Sequence, residues 1–145
     1  MNSTSTIKNI QEEIIEEFNF LEEWDEKYAY IIELGKKLPP LDEKYKTEQN
    51  KIKGCQSQVW LHSELNGDIV NYYADSDALI VKGLVSLLVR VLSGHKPSEI
   101  LQEDLYFLDK IGMKQHLSPT RSNGLAAMVK QMKMYALAFS SKLNS

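Results

Sequence analysis

Val59-Trp60-Leu61-His62-Ser63-Glu64-Leu65-Asn66-Gly67-Asp68-Ile69-Val70-Asn71-Tyr72-Tyr73-Ala74 is two alternating runs joined by an Asn-Gly pair. Alternate residues of a strand share a face, so Val59, Leu61, Ser63 and Leu65 point one way and Trp60, His62 and Glu64 the other. Asn-Gly between such runs is the strongest short-range hairpin signal, because the tight turn that matches strand twist needs positive φ. The returning strand is expected over Ile69 to Ala74. Upstream, Ile52 between Lys51 and Lys53 reads as a further strand. The expectation is a three-stranded antiparallel meander, with Asn66-Gly67 at one end and a loop around Cys55 at the other.

That loop is Gly54-Cys55-Gln56-Ser57-Gln58, and Cys55 is the only cysteine in the chain. Gly54 accepts backbone angles that other residues resist. Gln56, Ser57 and Gln58 are polar and uncharged, as suits a solvated tip. A thiol presented between two strands is a candidate nucleophile. Lys51 and Lys53 are placed to stabilise a thiolate, or simply to solubilise an edge strand. The plainer alternative is a lone cysteine that serves as a small buried hydrophobe.

Helices surround this unit. Ile7, Ile10, Ile14 and Phe18 recur at helical spacing opposite Glu12, Glu13, Glu16 and Glu17, which predicts an amphipathic first helix. Asn19 and Glu22 read as the cap and acidic first turn of a second helix carrying Trp24, Tyr28 and Ile31, ended by Pro39-Pro40. Asp75-Ser76-Asp77 offers caps for a helix over Ala78 to Leu92 that is apolar nearly all round. Lys82, Ser86 and Arg90 are its one polar stripe, so it is expected to be buried, and Ser93-Gly94 stops it. Short helices follow from Pro97 to about Glu103 and from Leu105 to Ile111. Ser118-Pro119 opens the last helix, with Leu125, Met128, Met132, Tyr135 and Phe139 as its stripe. The fold class is α+β, with helices packed on one face of a small antiparallel sheet.

At 145 residues the chain is one domain, 1–145, with about 1–6 and 140–145 expected to be loosely ordered. A net charge of −3 with interspersed lysines and glutamates argues against a nucleic-acid partner. One cysteine excludes an intrachain disulfide and a cysteine-only metal site. The apolar run over 78–92 is interrupted and too short to span a membrane, and residues 1–6 lack an apolar signal core. A cytoplasmic protein with no membrane contact is expected.

Beyond these readings, Gly54-Cys55-Gln56-Ser57-Gln58-Val59-Trp60 resembles the signature of the SufE family, sulfur acceptors of iron–sulfur cluster assembly. Trp24-Asp25-Glu26-Lys27-Tyr28 through Ile31-Ile32-Glu33-Leu34-Gly35 resembles the family's second helix. Asp75-Ser76-Asp77-Ala78 through Ile80-Val81-Lys82-Gly83-Leu84 resembles its middle segment. Gln115-His116-Leu117-Ser118-Pro119-Thr120-Arg121-Ser122-Asn123-Gly124-Leu125 resembles its C-terminal motif. The blocks run in the family's order across nearly the whole chain.

The resemblance implies a fold core shared with the IscU-type scaffolds. It also implies a function. A PLP-dependent cysteine desulfurase of the SufS type would carry sulfur as a persulfide; Cys55 would take it, stimulate the desulfurase, and pass the sulfur to the SufBCD complex. The PLP belongs to the partner, and no cofactor or metal is expected on this chain, which would act as a monomer or weak homodimer. The similar CsdE proteins serve a different desulfurase. Gly54 would shape the loop, with Gln56, Ser57 and Gln58 as its tip. Asp75 and Asp77 would support it or merely cap a helix. Arg121 and His116 would contact the partner, or Arg121 would simply be solvated.

Two other chemistries are open on the residues themselves. A Cys–His hydrolase needs a base beside Cys55. His62 is about 20 Å away along an extended strand, His95 sits in a turn, and His116 would have to fold back. Metal ligation by Cys55 with His and Asp is formally available, but one thiolate falls short of the usual scaffold set. A loop thiol that receives sulfur needs neither. Such a thiol is expected to rest against Ile52, Val59 and the buried helix, and to swing out to its partner.

Overall fold

The Asn66-Gly67 turn forms where the sequence places it, with Gly67 at φ +65°, in the left-handed region that side chains resist. The computed structural model describes residues 5–144. Strands β1 (Val59–Asn66) and β2 (Ile69–Ser76) pair antiparallel, with Trp60 opposite Asp75 and His62 opposite Tyr73. Val59, Leu61, Val70, Tyr72 and Ala74 are buried on the inner face. The other face carries Trp60, His62 and Tyr73, where the Tyr45 ring stacks on His62 at 3.7 Å between centroids.

The expected third strand is not formed: among the described residues the sheet has two strands. Ile52 donates its N–H to the Val59 carbonyl and Leu61 donates to Asn50, so a short ladder begins. It amounts to one bridge, Lys51 with Trp60. The chain before it is already committed to a turn, where Lys51 N–H bonds Glu48 O and the Asn50 amide bonds Tyr45 O. After Ile52 the chain leaves the sheet through Gly54.

Helix α1 (Ile7–Asn19) is capped by Thr6, whose hydroxyl accepts from Asn9 N–H, and buries Ile7, Ile14 and Phe18. Helix α2 (Trp24–Lys36) does not use the expected Asn19 cap, since Asn19 is the last residue of α1. Instead Glu26 accepts from the backbone N–H of Glu22 and Glu23 at 3.1 and 3.0 Å. Helix α3 (Leu79–Leu92) lies between α2 and β2. The α2–α3 crossing is so close that a Cβ on Gly83 would overlap the Ile31 carbonyl. The polar stripe of α3 is spent on ties: Arg90 makes two hydrogen bonds to Glu17 of α1, and Lys82 pairs with Asp75.

Gly94, at φ +84°, ends α3. Short helices α4 (Pro97–Gln102) and α5 (Phe107–Lys110) follow, then α6 (Pro119–Leu143), capped by Ser118. Buried Gln11 docks the segment before α5, donating to Asp104 O and accepting from Tyr106 and Phe107 N–H. Of the ends expected to be loose, residues 1–4 and 145 lie outside the described residues. Within them Thr6 caps α1 and α6 runs through Leu143.

Candidate functional site

Four local decisions of the chain position Cys55. The Ile52–Val59 hydrogen bond of 2.8 Å closes the neck of the loop. Gly54 turns it at φ +93°. Asp77, just past β2, accepts from Gln58 N–H at 3.0 Å and donates its own N–H to Gln58 O at 3.2 Å. Opposite, the Cys55 thiol donates to the carbonyl of Gly124 in α6, with sulfur and oxygen 3.7 Å apart. Gln56 and Gln58 are exposed at the tip, whereas Cys55 is half-buried and packs against the core.

The thiol faces a cavity of about 290 Å³ between the loop, α3 and α6. Its floor is apolar, made by Val59, Leu84, Val85 and Met128. Its rim is polar, made by Ser57, Thr120 and the exposed Arg121. The contact with α6 is made at a glycine, and a side chain there would crowd it. A Cβ at position 124 would stand 3.1 Å from the Cys55 sulfur.

Burial pushes the Cys55 thiol above its ordinary pKa, because a thiolate loses solvation in apolar surroundings. Of the two roles open to Lys51 and Lys53, stabilising the thiolate finds no support in this shift, whose cause is burial. Lys51 is paired with Glu48 at 3.0 Å, and Lys53 is exposed. At rest, therefore, Cys55 is a protonated thiol in a sheltered place.

The two aspartates part company. Asp77 holds the loop through Gln58. Buried Asp75 turns away and holds the connector after Pro39-Pro40: it accepts from Leu41 N–H at 3.2 Å and Ser76 N–H at 2.8 Å, and pairs with Lys82 at 3.3 Å and Lys46 at 3.5 Å. Burial alone would raise its pKa, but the two backbone donors and the Lys82 ammonium outweigh burial and hold the carboxyl low. Neither aspartate caps α3: the cap position is Ala78, whose N–H bonds the Ser76 hydroxyl.

The histidines stand elsewhere. His62 stacks on Tyr45 and bonds Glu64 at 2.9 Å. His95 is buried against the carbonyls of Leu92 and Ser5. The exposed His116 stacks on Trp24 at 3.5 Å between centroids. Among the described residues, no group of three or more His, Cys, Asp or Glu is arranged to hold a metal ion. None of the described helices is long and apolar enough to cross a membrane.

Sequence reasoning on loop residues did not find Gly124, Ser118 and Thr120, the α6 side of the cavity. One signal was available. A glycine inside a helix costs about 1 kcal/mol relative to alanine, so Gly124 within α6, beside the Leu125 stripe, marks a close approach.

Comparison with known proteins identifies the family of the chain. The SufE family, described as an Fe-S metabolism associated domain, matches residues 12–136. An uncharacterized SufE-like protein of Rhizobium meliloti is 44% identical over 130 residues, covering 86% of this chain and 93% of its own. Another, from Rhizobium etli, is 46% identical over 127 residues, covering 84% and 86%. The solution structure of a hypothetical protein from Thermus thermophilus superimposes with a TM-score of 0.76 over 91% of this chain and 96% of that one. At 22% identity, that likeness speaks for the fold alone. A single sheltered thiol on a hairpin-side loop, in a chain that matches the family from α1 to α6, places this protein in the SufE family of iron–sulfur metabolism, whose general role is sulfur transfer in concert with cysteine desulfurases.

Proposed function

We propose that Cys55 accepts persulfide sulfur from a SufS-type cysteine desulfurase, stimulates that enzyme by clearing its sulfur, and delivers the atom to the SufBCD complex. The observation that carries this reading is the position of the only thiol, at the mouth of a cavity with room for an added sulfur atom.

The transfer is thiol exchange. Cys55 gives up its proton and its thiolate attacks the terminal sulfur of the desulfurase persulfide. The new S–S bond forms on Cys55, the old one breaks, and the desulfurase cysteine leaves as thiolate. No oxidant is consumed and no base is required once Cys55 is ionised. In the resting protein burial keeps the thiol protonated. The loop must therefore move before reaction, and a desulfurase that binds the open loop better supplies the bias. The exposed Gln56 and Arg121 line the cavity beside the thiol and are available to a partner.

The test is sulfur loading, read by intact-mass spectrometry after incubation with SufS-type desulfurase, PLP and L-cysteine. The native chain should gain sulfur on Cys55 and raise desulfurase turnover, while Cys55→Ser should do neither and still fold. A Cys55→Ser protein that gains sulfur would falsify the acceptor reading. If only a CsdE-type partner's desulfurase is stimulated, the partner changes and the acceptor role stands. Single His→Ala changes at 62, 95 and 116 should leave the initial rate of sulfur transfer onto Cys55 mostly intact in the folded protein, whereas a Cys–His hydrolase would lose activity entirely with one of them.

A further inference from the structure

His116 takes no part in the exchange, yet α2 holds it firmly. Its ring stacks on Trp24 with planes 27° apart, and Lys27 Nζ stands 4.7 Å from the Trp24 ring. Tyr28, one turn along α2, donates its hydroxyl to the His116 carbonyl at 2.7 Å. Because His116 is exposed, burial of a core side chain does not account for the arrangement.

Just beyond His116 the chain becomes the wall of the sulfur cavity. Two residues on, Ser118 caps α6, and the next two turns carry Thr120, Arg121, Gly124 and Leu125 along the Cys55 cavity. These turns are thinly packed on their other side as well. A second cavity of about 140 Å³ lies there, lined by Leu105, Leu117, Ala126 and Val129, and Leu125 lines both. A helix end with a void on each side lacks the dispersion contacts that would fix it. Farther along, α6 is anchored by the Tyr72 hydroxyl on Met132 O and by Lys133 Nζ on Glu103 O. Ahead of its start, Met113 is buried in the core, Leu117 packs against it, and between them the side chains of α2 hold His116.

We infer that Trp24, Tyr28 and His116 are positioning residues for Cys55. By clasping the chain ahead of α6, they hold the Gly124 wall against the thiol and set how readily small thiols and alkylating agents reach it. None of the three lies along the cavity, so the effect passes through α6. The inference deepens the acceptor reading and rests on it for its purpose: a loose wall would let solvent thiols strip the carried sulfur.

The experiment is iodoacetamide alkylation of Cys55 in the free full-length protein, with circular dichroism and Tm measured alongside. His116→Ala removes the stack, and should raise the rate about fivefold, the size of one lost aromatic pair. His116→Phe keeps a stacked ring and should return the rate to within about twofold of native. Tyr28→Phe removes one hydroxyl and should raise it about two- to threefold. A purely structural role would lower Tm without moving Cys55 reactivity in the folded state and without rescue by phenylalanine. Native-like rates for folded His116→Ala and Tyr28→Phe overturn the inference, and so does His116→Phe reacting as fast as His116→Ala. Should His116→Ala not fold, Tyr28→Phe alone decides. Alkylation needs no sulfur donor, so the clasp is tested even if the native protein accepts no sulfur, an outcome that would sink the acceptor reading instead.

Discussion

The sulfur of Cys55 lies 3.7 Å from the carbonyl oxygen of Gly124, and the missing side chain of Gly124 makes that approach possible. Alanine in a helix interior is favoured over glycine by about 1 kcal/mol. A Cβ at 124, however, would meet the sulfur at 3.1 Å. With the chain ahead of α6 held by Tyr28 and Trp24, the loop, turned through Gly54, is the element expected to yield. Gly124→Ala is thus expected to keep or raise Tm while pushing Cys55 outward, with alkylation of the free protein rising about threefold or more. Unchanged alkylation would mean that the sulfur is not seated there.

The Cys55 thiol titrates above its ordinary range because burial disfavours the thiolate. Alkylation follows the thiolate, so the rate–pH curve of the free protein should have its midpoint above the ordinary value of about 8.5. With desulfurase bound, the midpoint should fall. The stability linkage has the matching sign. The neutral thiol is favoured in the fold, so this contribution is present below the ordinary pKa and fades as pH rises through the shifted one. A midpoint at or below that of a cysteine peptide in the free protein would rule out the sheltered resting state.

Asp75 and Asp77 should separate in a mutant comparison. Asp75→Asn leaves Lys82 and Lys46 without their buried carboxylate partner. It should cost about 1.5–3 kcal/mol at neutral pH. The native carboxyl is held low, so its stabilisation is full above the unfolded value of about 3.9 and is lost as pH falls through the lower folded one. Denaturant melts of the variant should therefore converge on the native ones in acid.

Asp77→Ala removes only the side-chain acceptor for Gln58 N–H. Asp77 is exposed, so stability should change little, by about 1 kcal/mol or less. Freed of that anchor, the loop should expose Cys55 more often and react faster. The reverse pattern, a large stability loss with unaltered Cys55 reactivity, would show that Asp77 serves the fold rather than the loop.

Gly83→Ala tests the core beneath the site. The added methyl would overlap the Ile31 carbonyl where α2 crosses α3. Separating two helices across a packed interface should cost about 3 kcal/mol. Urea titration reads the loss directly, and a cost under about 1 kcal/mol would refute so tight a crossing.

Much of the molecule was legible because the information was local. Period-2 alternation around Asn66-Gly67 determined the hairpin, and period-3.6 stripes determined α1, α2, α3 and α6, because the backbone geometry of each element imposes its own spacing. Cys55 as the candidate reactive group followed from its singularity and its glycine-flanked polar loop. Errors arose where neighbouring turns or distant partners overrode the local pattern. Ile52 had the pattern of a strand, but the turn at Glu48–Lys51 left room for only one bridge. Asp75 looked like a helix cap, yet its bonds run to Leu41, 34 positions earlier.

By itself, the sequence determined the hairpin and the main helices, singled out Cys55 as the candidate nucleophile and carried the resemblance to a family. The tertiary structure alone decided the surroundings of the nucleophile: Gly124, 69 positions away, as the wall that receives the thiol, Asp77 as the tether of its loop, and burial rather than Lys51 and Lys53 as the influence on its ionisation. The physical reason is range. Strand and helix periodicity are written in neighbouring residues, whereas desolvation and close approach are properties of surfaces that meet only when the chain has folded.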